Sequence, residues 1–98
     1  MSSITTVALA GNHIGDAGAT ALAEALKSEY CLLQTLNLAC NEIIDESTKV
    51  TAEALKNEHC SLQILNLWGN KIGDEGASYL AEALKINHSI TTVNLEIQ

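Results

Sequence analysis

The feature that most restricts what this chain can fold into is an internal repeat of 29 residues. The segments Ile4-Thr-Thr-Val-Ala-Leu-Ala-Gly-Asn12, Leu33-Gln-Thr-Leu-Asn-Leu-Ala-Cys-Asn41 and Leu62-Gln-Ile-Leu-Asn-Leu-Trp-Gly-Asn70 superimpose without gaps. A fourth copy opens at Ile90-Thr-Thr-Val-Asn-Leu95, one residue early, and ends before its Asn. Apolar residues alternate in these segments, as in Leu36 and Leu38 or Leu65 and Leu67, which predicts a short strand in each. Between them lie Ala23-Glu-Ala-Leu-Lys27, Ala52-Glu-Ala-Leu-Lys56 and Ala81-Glu-Ala-Leu-Lys85, runs of strong helix formers. A strand and a helix alternating at fixed period cannot form hairpins. Successive strands must lie parallel, with the helices on the other side, because no single repeat can bury its apolar face alone.

Within this frame the helix pattern makes specific demands. Asp16, Asp45 and Asp74 stand ahead of the helices, where a carboxylate suits the free amides of a first turn, and are expected as N-caps. Ala19, Leu22, Ala23 and Leu26 share one face of the first helix and are expected to point inward, as are Ala77, Leu80, Ala81 and Leu84 in the third. The second repeat departs from its neighbours at Ile44, Ser47, Thr48 and Thr51, which stand for Gly, Gly, Ala and Leu. That predicts a shifted or looser second helix.

The run L-x-x-L-x-L-x-x-N, carried by Leu33, Leu36, Leu38 and Asn41 and again by Leu62, Leu65, Leu67 and Asn70, resembles a leucine-rich repeat. The period, the continuation Ile14-Gly-Asp-Ala-Gly-Ala19 and the Ala-Glu-Ala-Leu-Lys helix are similar to the ribonuclease-inhibitor-like subclass. That subclass includes the repeat regions of NOD-like receptors, ribonuclease inhibitor and Ran GTPase-activating proteins. The resemblance implies an α/β horseshoe segment, with parallel strands on a concave face, helices on a convex face, three full repeats and a fourth strand. It also implies that Asn12, Asn41 and Asn70 hold the turns by bonding backbone groups, and that the chain binds a protein rather than catalysing a reaction. The expected organisation is a single domain over 1–98, with repeats at about 3–31, 32–60 and 61–88 and a partial one at 89–98.

Charge narrows the partners. Twelve acidic and five basic residues leave a net charge of -7, which repels phosphate backbones and anionic headgroups, so neither nucleic acid nor a membrane surface is expected. No apolar run reaches the roughly 18 to 20 residues of a spanning helix, and the start lacks the pattern of an export signal, so a cytoplasmic location is expected. The three cysteines read as reduced thiols. Cys31, His59, Cys60 and His88 lack the spacing that lets two ligands chelate one zinc ion, and no nucleophile has a base and an orienting group in the pattern. No metal, cofactor or catalytic residue is expected.

The alternation that sends Leu65 and Leu67 inward sends Ile64, Asn66 and Trp68 to the other face, and Thr35, Asn37, Thr92, Asn94 and Glu96 with them. Trp68 is the expected anchor for a protein partner. It stands in a column of alanines, Ala10 and Ala39, and the sequence holds few other aromatic residues. Two other roles stay open: a structural segment of a longer leucine-rich-repeat receptor or regulator, and a GTPase-activator-like protein, although the chain has no arginine. The last strand leaves Val93 and Leu95 without a following repeat, which predicts self-association through this uncapped C-terminal strand, or disorder beyond about Asn94.

Overall fold

The computed structural model describes residues 4–98. Its elements alternate as the repeat requires: β1 (Thr6–Ala8), α1 (Gly15–Leu26), β2 (Thr35–Asn37), α2 (Asp45–Leu55), β3 (Ile64–Asn66), α3 (Asp74–Leu84) and β4 (Thr92–Asn94). The strands form one parallel sheet in the order β1-β2-β3-β4, in register with the sequence repeat, so that Val7, Leu36, Leu65 and Val93 form one row. The chain is an α/β leucine-rich-repeat solenoid. Leu36, Leu38, Leu65 and Leu67 lie buried between sheet and helices, joined by Leu33, Leu55 and Leu62.

Each strand is short because the backbone leaves the sheet soon after it. Gly11, Cys40 and Gly69 occupy one column and all take positive φ, at 70°, 56° and 72°. This column favours glycine for its backbone conformation rather than for size alone. Gly69 leaves room for the Cys40 side chain, since a Cβ on it would stand 2.8 Å from the Cys40 Sγ.

The turns so formed are tied across repeats by asparagine. The Asn41 Oδ1 accepts from the backbone N–H of Asn12 (2.9 Å) and Ile14 (3.1 Å), and its Nδ2 donates to the carbonyls of Leu9 (2.8 Å) and Ala39 (3.2 Å). Asn70 repeats the pattern, accepting from Asn41 (2.8 Å) and Ile43 (3.0 Å) and donating to Leu38 (3.0 Å) and Leu67 (2.9 Å). The fourth copy reaches this column, with glutamine in place of asparagine. Gln98 takes the place, accepting from the N–H of Ile72 (3.0 Å) and donating to the carbonyl of Leu67 (2.9 Å).

Among the described helices, α1 packs on α2 and α2 on α3. Burial follows from this stacking. α1 buries Ala19, Ala23 and Leu26, with Leu22 half-buried. α3 buries Gly76, Leu80 and Ala83 instead, and the expected Ala77, Ala81 and Leu84 are exposed, because that side looks away from α2 and no described residue covers it. α2 has a helix on each side and buries Ser47, Thr48, Thr51, Ala52, Ala54 and Leu55. It is not the loose helix that its polar residues predict. The Thr48 hydroxyl donates to the carbonyl of Ile44 (2.8 Å) and that of Thr51 to Ser47 (2.9 Å), so both are satisfied where they are buried.

The acidic residues do not cap their own helices. Asp45 and Asp74 are the first residues of α2 and α3, and the N-cap residues of the three helices, Ile14, Ile44 and Gly73, make no side-chain cap bond. Asp45 caps the next helix instead: its Oδ1 accepts from the N–H of Gly73 (2.7 Å) and Gly76 (3.1 Å), at the start of α3. Gly76 is needed for the approach, since a Cβ there would stand 2.5 Å from that oxygen, while one on Gly73 would meet Oδ2 at a tight 3.3 Å. The columns hold Ile44 and Ser47 in the second repeat, which closes the same route to Asp16.

The ladder yields an expected outcome. Asn70→Ala strands the amides of Asn41 and Ile43 and the carbonyl of Leu38, while the Leu67 carbonyl keeps its bond from Gln98, and at about 1–3 kcal/mol for an unsatisfied buried group the loss should reach roughly 3 kcal/mol or more. Asn12→Ala, at an exposed end of the ladder, should cost about 1 kcal/mol or less. Urea unfolding of the two variants tests this, and equal losses would remove the ladder from its central role.

Candidate protein-binding surface

The sheet has one face against the helices and one face outward. Because the pairing is in register, the outward residues line up across strands: Thr6, Thr35, Ile64 and Thr92 in one row, Ala8, Asn37, Asn66 and Asn94 in the next. A third row follows from backbone bonds beyond the strands, with the N–H groups of Gly11, Cys40 and Gly69 donating to Ala39 (2.9 Å), Trp68 (2.8 Å) and Glu96 (3.0 Å). All eight residues singled out from the sequence, Thr35, Asn37, Ile64, Asn66, Trp68, Thr92, Asn94 and Glu96, therefore lie on one surface or at its margin.

Their chemistry is not uniform. Ile64, the first residue of β3, is 40% exposed, and Trp68, two residues past the end of that strand and on the same side, is 39% exposed. Ala39, which the alternation also sends outward, is buried at 7%, lying in its column between Ala10 and the much larger Trp68. The three asparagines are partly committed to the fold: the Oδ1 atoms of Asn37, Asn66 and Asn94 accept from the N–H of Ala39 (3.1 Å), Trp68 (2.9 Å) and Glu96 (3.0 Å), each two residues on. These local turns fix the direction in which Trp68 and Glu96 leave the sheet. Thr35 is half-buried, while Thr92 and Glu96 are exposed.

Beside this face, the loops between strands and helices bring His13 to Glu42, Nδ1 to Oε1 at 2.7 Å. The hydrogen bond from His13, and then its charge, hold the Glu42 carboxyl below the usual carboxylate range. Sequence reading does not find this pair, because its members are 29 residues apart and neither belongs to a repeated column of like residues. Cys31, Cys40 and Cys60 are free thiols, partly buried, exposed and buried in turn. Among the described residues no group of three or more His, Cys, Asp or Glu side chains is placed to hold a metal ion, and no helix is long and apolar enough to cross a membrane.

A further apolar surface lies at the start of the solenoid. Val7, Leu22, Ala25, Tyr30, Leu32 and Leu36 are among the residues that line a groove of about 310 Å³ there. Exposed large apolar side chains thus fall mainly into three sets: Ile4, Tyr30 and Leu32 at this end, Leu84, Ile86 and Ile97 at the other, and Ile64 with Trp68 on the sheet.

A stacked strand-and-helix solenoid with a large apolar pair on a sheet face of otherwise small or polar residues defines a repeat protein built to contact other proteins. The family model described as Leucine Rich repeat matches residues 1–23, 31–47 and 58–81, and the chain belongs to that family. Among solved structures it is similar to "Leiomodin-1 Actin-Binding Site 2 (ABS2)", with a TM-score of 0.86 and 25% identity. That match covers 98% of this chain and 55% of the other, so the chain spans about half the length of its structural neighbour. No curated protein matches its sequence.

The exposure of Trp68 has a consequence for stability. Trp68→Ala should cost the fold about 1 kcal/mol or less, while Leu65→Ala, a fully buried neighbour, should cost roughly 2–5 kcal/mol. Thermal unfolding distinguishes the two, and a Trp68→Ala loss as large as that of Leu65→Ala would make the indole a core residue. Acrylamide quenching of the single tryptophan should agree with the first outcome.

Proposed function

We propose that this protein is a non-enzymatic protein-protein interaction module that takes a protein partner on the concave, outward face of its sheet. The observation that carries the reading is the pair Trp68 and Ile64, exposed together on a face whose other members are small or polar. Tryptophan is enriched at the centre of protein interfaces, where a rigid ring buries much area at little entropic cost. Thr35, Asn37, Asn66, Thr92, Asn94 and Glu96 form the polar margin. The 29-residue period and the Ala-Glu-Ala-Leu-Lys helices support the ribonuclease-inhibitor-like subclass, to which NOD-like receptor repeats also belong. Three free thiols fit a reducing compartment, the cytoplasm.

Actin is the first partner to try, because the similar leiomodin-1 region is an actin-binding site. A second reading, a segment of a longer leucine-rich-repeat receptor or regulator, is favoured by the uncovered apolar side of α3 at Ala77, Ala81 and Leu84. A GTPase-activator-like role rests on family likeness alone, and no arginine is present to serve it.

The test compares wild-type and Trp68→Ala chains for binding to purified monomeric actin and for proteins retained from a lysate. On hot-spot magnitudes Trp68→Ala should weaken partner affinity by about 2 kcal/mol, or roughly 30-fold. Loss of actin binding in the variant supports both the face and the partner. Retained proteins that disappear with Trp68→Ala, without actin among them, support the face and exclude actin. Identical binding by a folded variant overturns the reading.

A further inference from the structure

Glu96 is the one charged residue in the three outward rows of the sheet, and it stands beside Trp68. The register fixes this: Asn66 pairs with Asn94, and the N–H of Gly69 donates to the carbonyl of Glu96 (3.0 Å). Trp68 therefore has an alanine, Ala39, on one flank and a carboxylate one strand away, about 4.8 Å along the sheet, on the other. Both side chains leave the sheet the same way, because each follows the same turn, with the Asn66 Oδ1 accepting from Trp68 N–H (2.9 Å) and the Asn94 Oδ1 from Glu96 N–H (3.0 Å). Both are exposed. They face the side of the sheet that neighbouring repeats never cover, since repeats of a solenoid join edge to edge.

The cations of the chain are engaged elsewhere. Lys27, Lys56 and Lys85 pair with Glu24, Glu53 and Glu82 along their own helices, at 3.2, 3.6 and 3.1 Å. Lys49 lies over the Tyr79 ring, 5.7 Å from its centroid, and Lys71 stands in the loop where its charge acts on Glu42. His13 and His59 face Glu42 and Glu58, and no arginine is present. Among the described residues Glu96 thus makes no ion pair, and any charge that answers it comes from the partner.

The sign of that charge follows from both neighbours. The face of an indole is electron-rich and attracts a cation, and a carboxylate at its side adds to the attraction. The net charge of -7 acts in the same direction at longer range, favouring encounter with a basic surface over an acidic one. Of the two permanently charged cationic side chains arginine suits the geometry. Its flat guanidinium can lie on the ring and turn an N–H edge to the carboxylate, whereas the ammonium of lysine is a compact point charge with no face to stack. Ile64, two rows away on the same strand, offers contact to an apolar residue of the same partner segment.

On the reading that the partner binds the sheet face, from which this inference cannot be separated, we propose that the partner presents an arginine to Trp68 and Glu96, its guanidinium stacked on the indole and bonded to the carboxylate, with an apolar side chain of the same segment on Ile64. Trp68 then supplies the contact area and Glu96 the specificity. Exchanging the charge at position 96 exchanges the residue that the face selects.

Selection from a phage-displayed library of random short peptides, at physiological ionic strength, tests the proposal before any natural partner is known. Wild type should enrich peptides that carry an arginine and an apolar residue, and Glu96→Lys should enrich peptides with an acidic residue in place of the arginine. Enriched peptides are then synthesised and titrated calorimetrically against folded chains. Replacing their arginine by glutamine should weaken binding to wild type about tenfold, but to Glu96→Gln only about threefold, since the carboxylate half of the contact is already gone. Glu75→Gln removes the same charge from an exposed place on α3 and should bind as wild type does. A loss there equal to that in Glu96→Gln would mean bulk attraction alone, and overturns the proposal. Peptides that need Trp68 but carry no arginine, or whose arginine is indifferent to Glu96, overturn the proposal and leave the sheet face standing. If wild type enriches no peptide that Trp68→Ala fails to bind, the sheet face falls as the binding surface and the proposal falls with it.

Discussion

Each turn in this solenoid is held from the following repeat as well as from its own. The side chain of Asn41 satisfies the amides that leave the first strand, and Asn70 does so for the second. These amides sit where the chain passes from sheet to helix and has no ladder partner of its own, so without the amide side chain they would be buried and unpaired. The constraint is geometric as much as energetic. A side chain that must accept from two amides and donate to two carbonyls fixes the distance between adjacent repeats, and the sheet register and helix stacking follow from that spacing.

The period, the strands and the helices were all legible because each is written three times in the same residue types. What was not legible depended on neighbours. The alternation in α3 marks Ala77, Ala81 and Leu84 as apolar, but only the stacking direction decides that Gly76, Leu80 and Ala83 are the ones that meet α2. The role of Asp45 is hidden because its partners are 28 and 31 residues away, in a helix whose start it appears too early to serve. Gln98 escapes a search for asparagine although its amide, one methylene further out, makes the same kinds of bond. The polar residues of α2 suggest weakness on a helical wheel, and the hydroxyls turn out to be bonded to their own backbone.

The outward face was legible in position, since period-two alternation and parallel register leave no other place for Ile64, Asn66 and Trp68. Its finer chemistry was not. Asn37, Asn66 and Asn94 look like free recognition groups in the sequence, yet each spends its oxygen on a turn and retains only part of its bonding capacity for another molecule. Recognition on this face therefore falls more heavily on Trp68 and Ile64 than the count of polar residues suggests.

The reach of Asp45 into the next repeat has a consequence for how such an array can change. A carboxylate in one unit forbids a side chain at one place in its successor and crowds a second, so fitness of a unit depends on which unit stands before it. The second unit, with Ile44 and Ser47, could not be inserted after itself without a clash at Asp45, while a unit carrying both glycines could. Duplication and shuffling of these units are thus restricted by order, much as words are by syntax, even though every unit has the same length and outline.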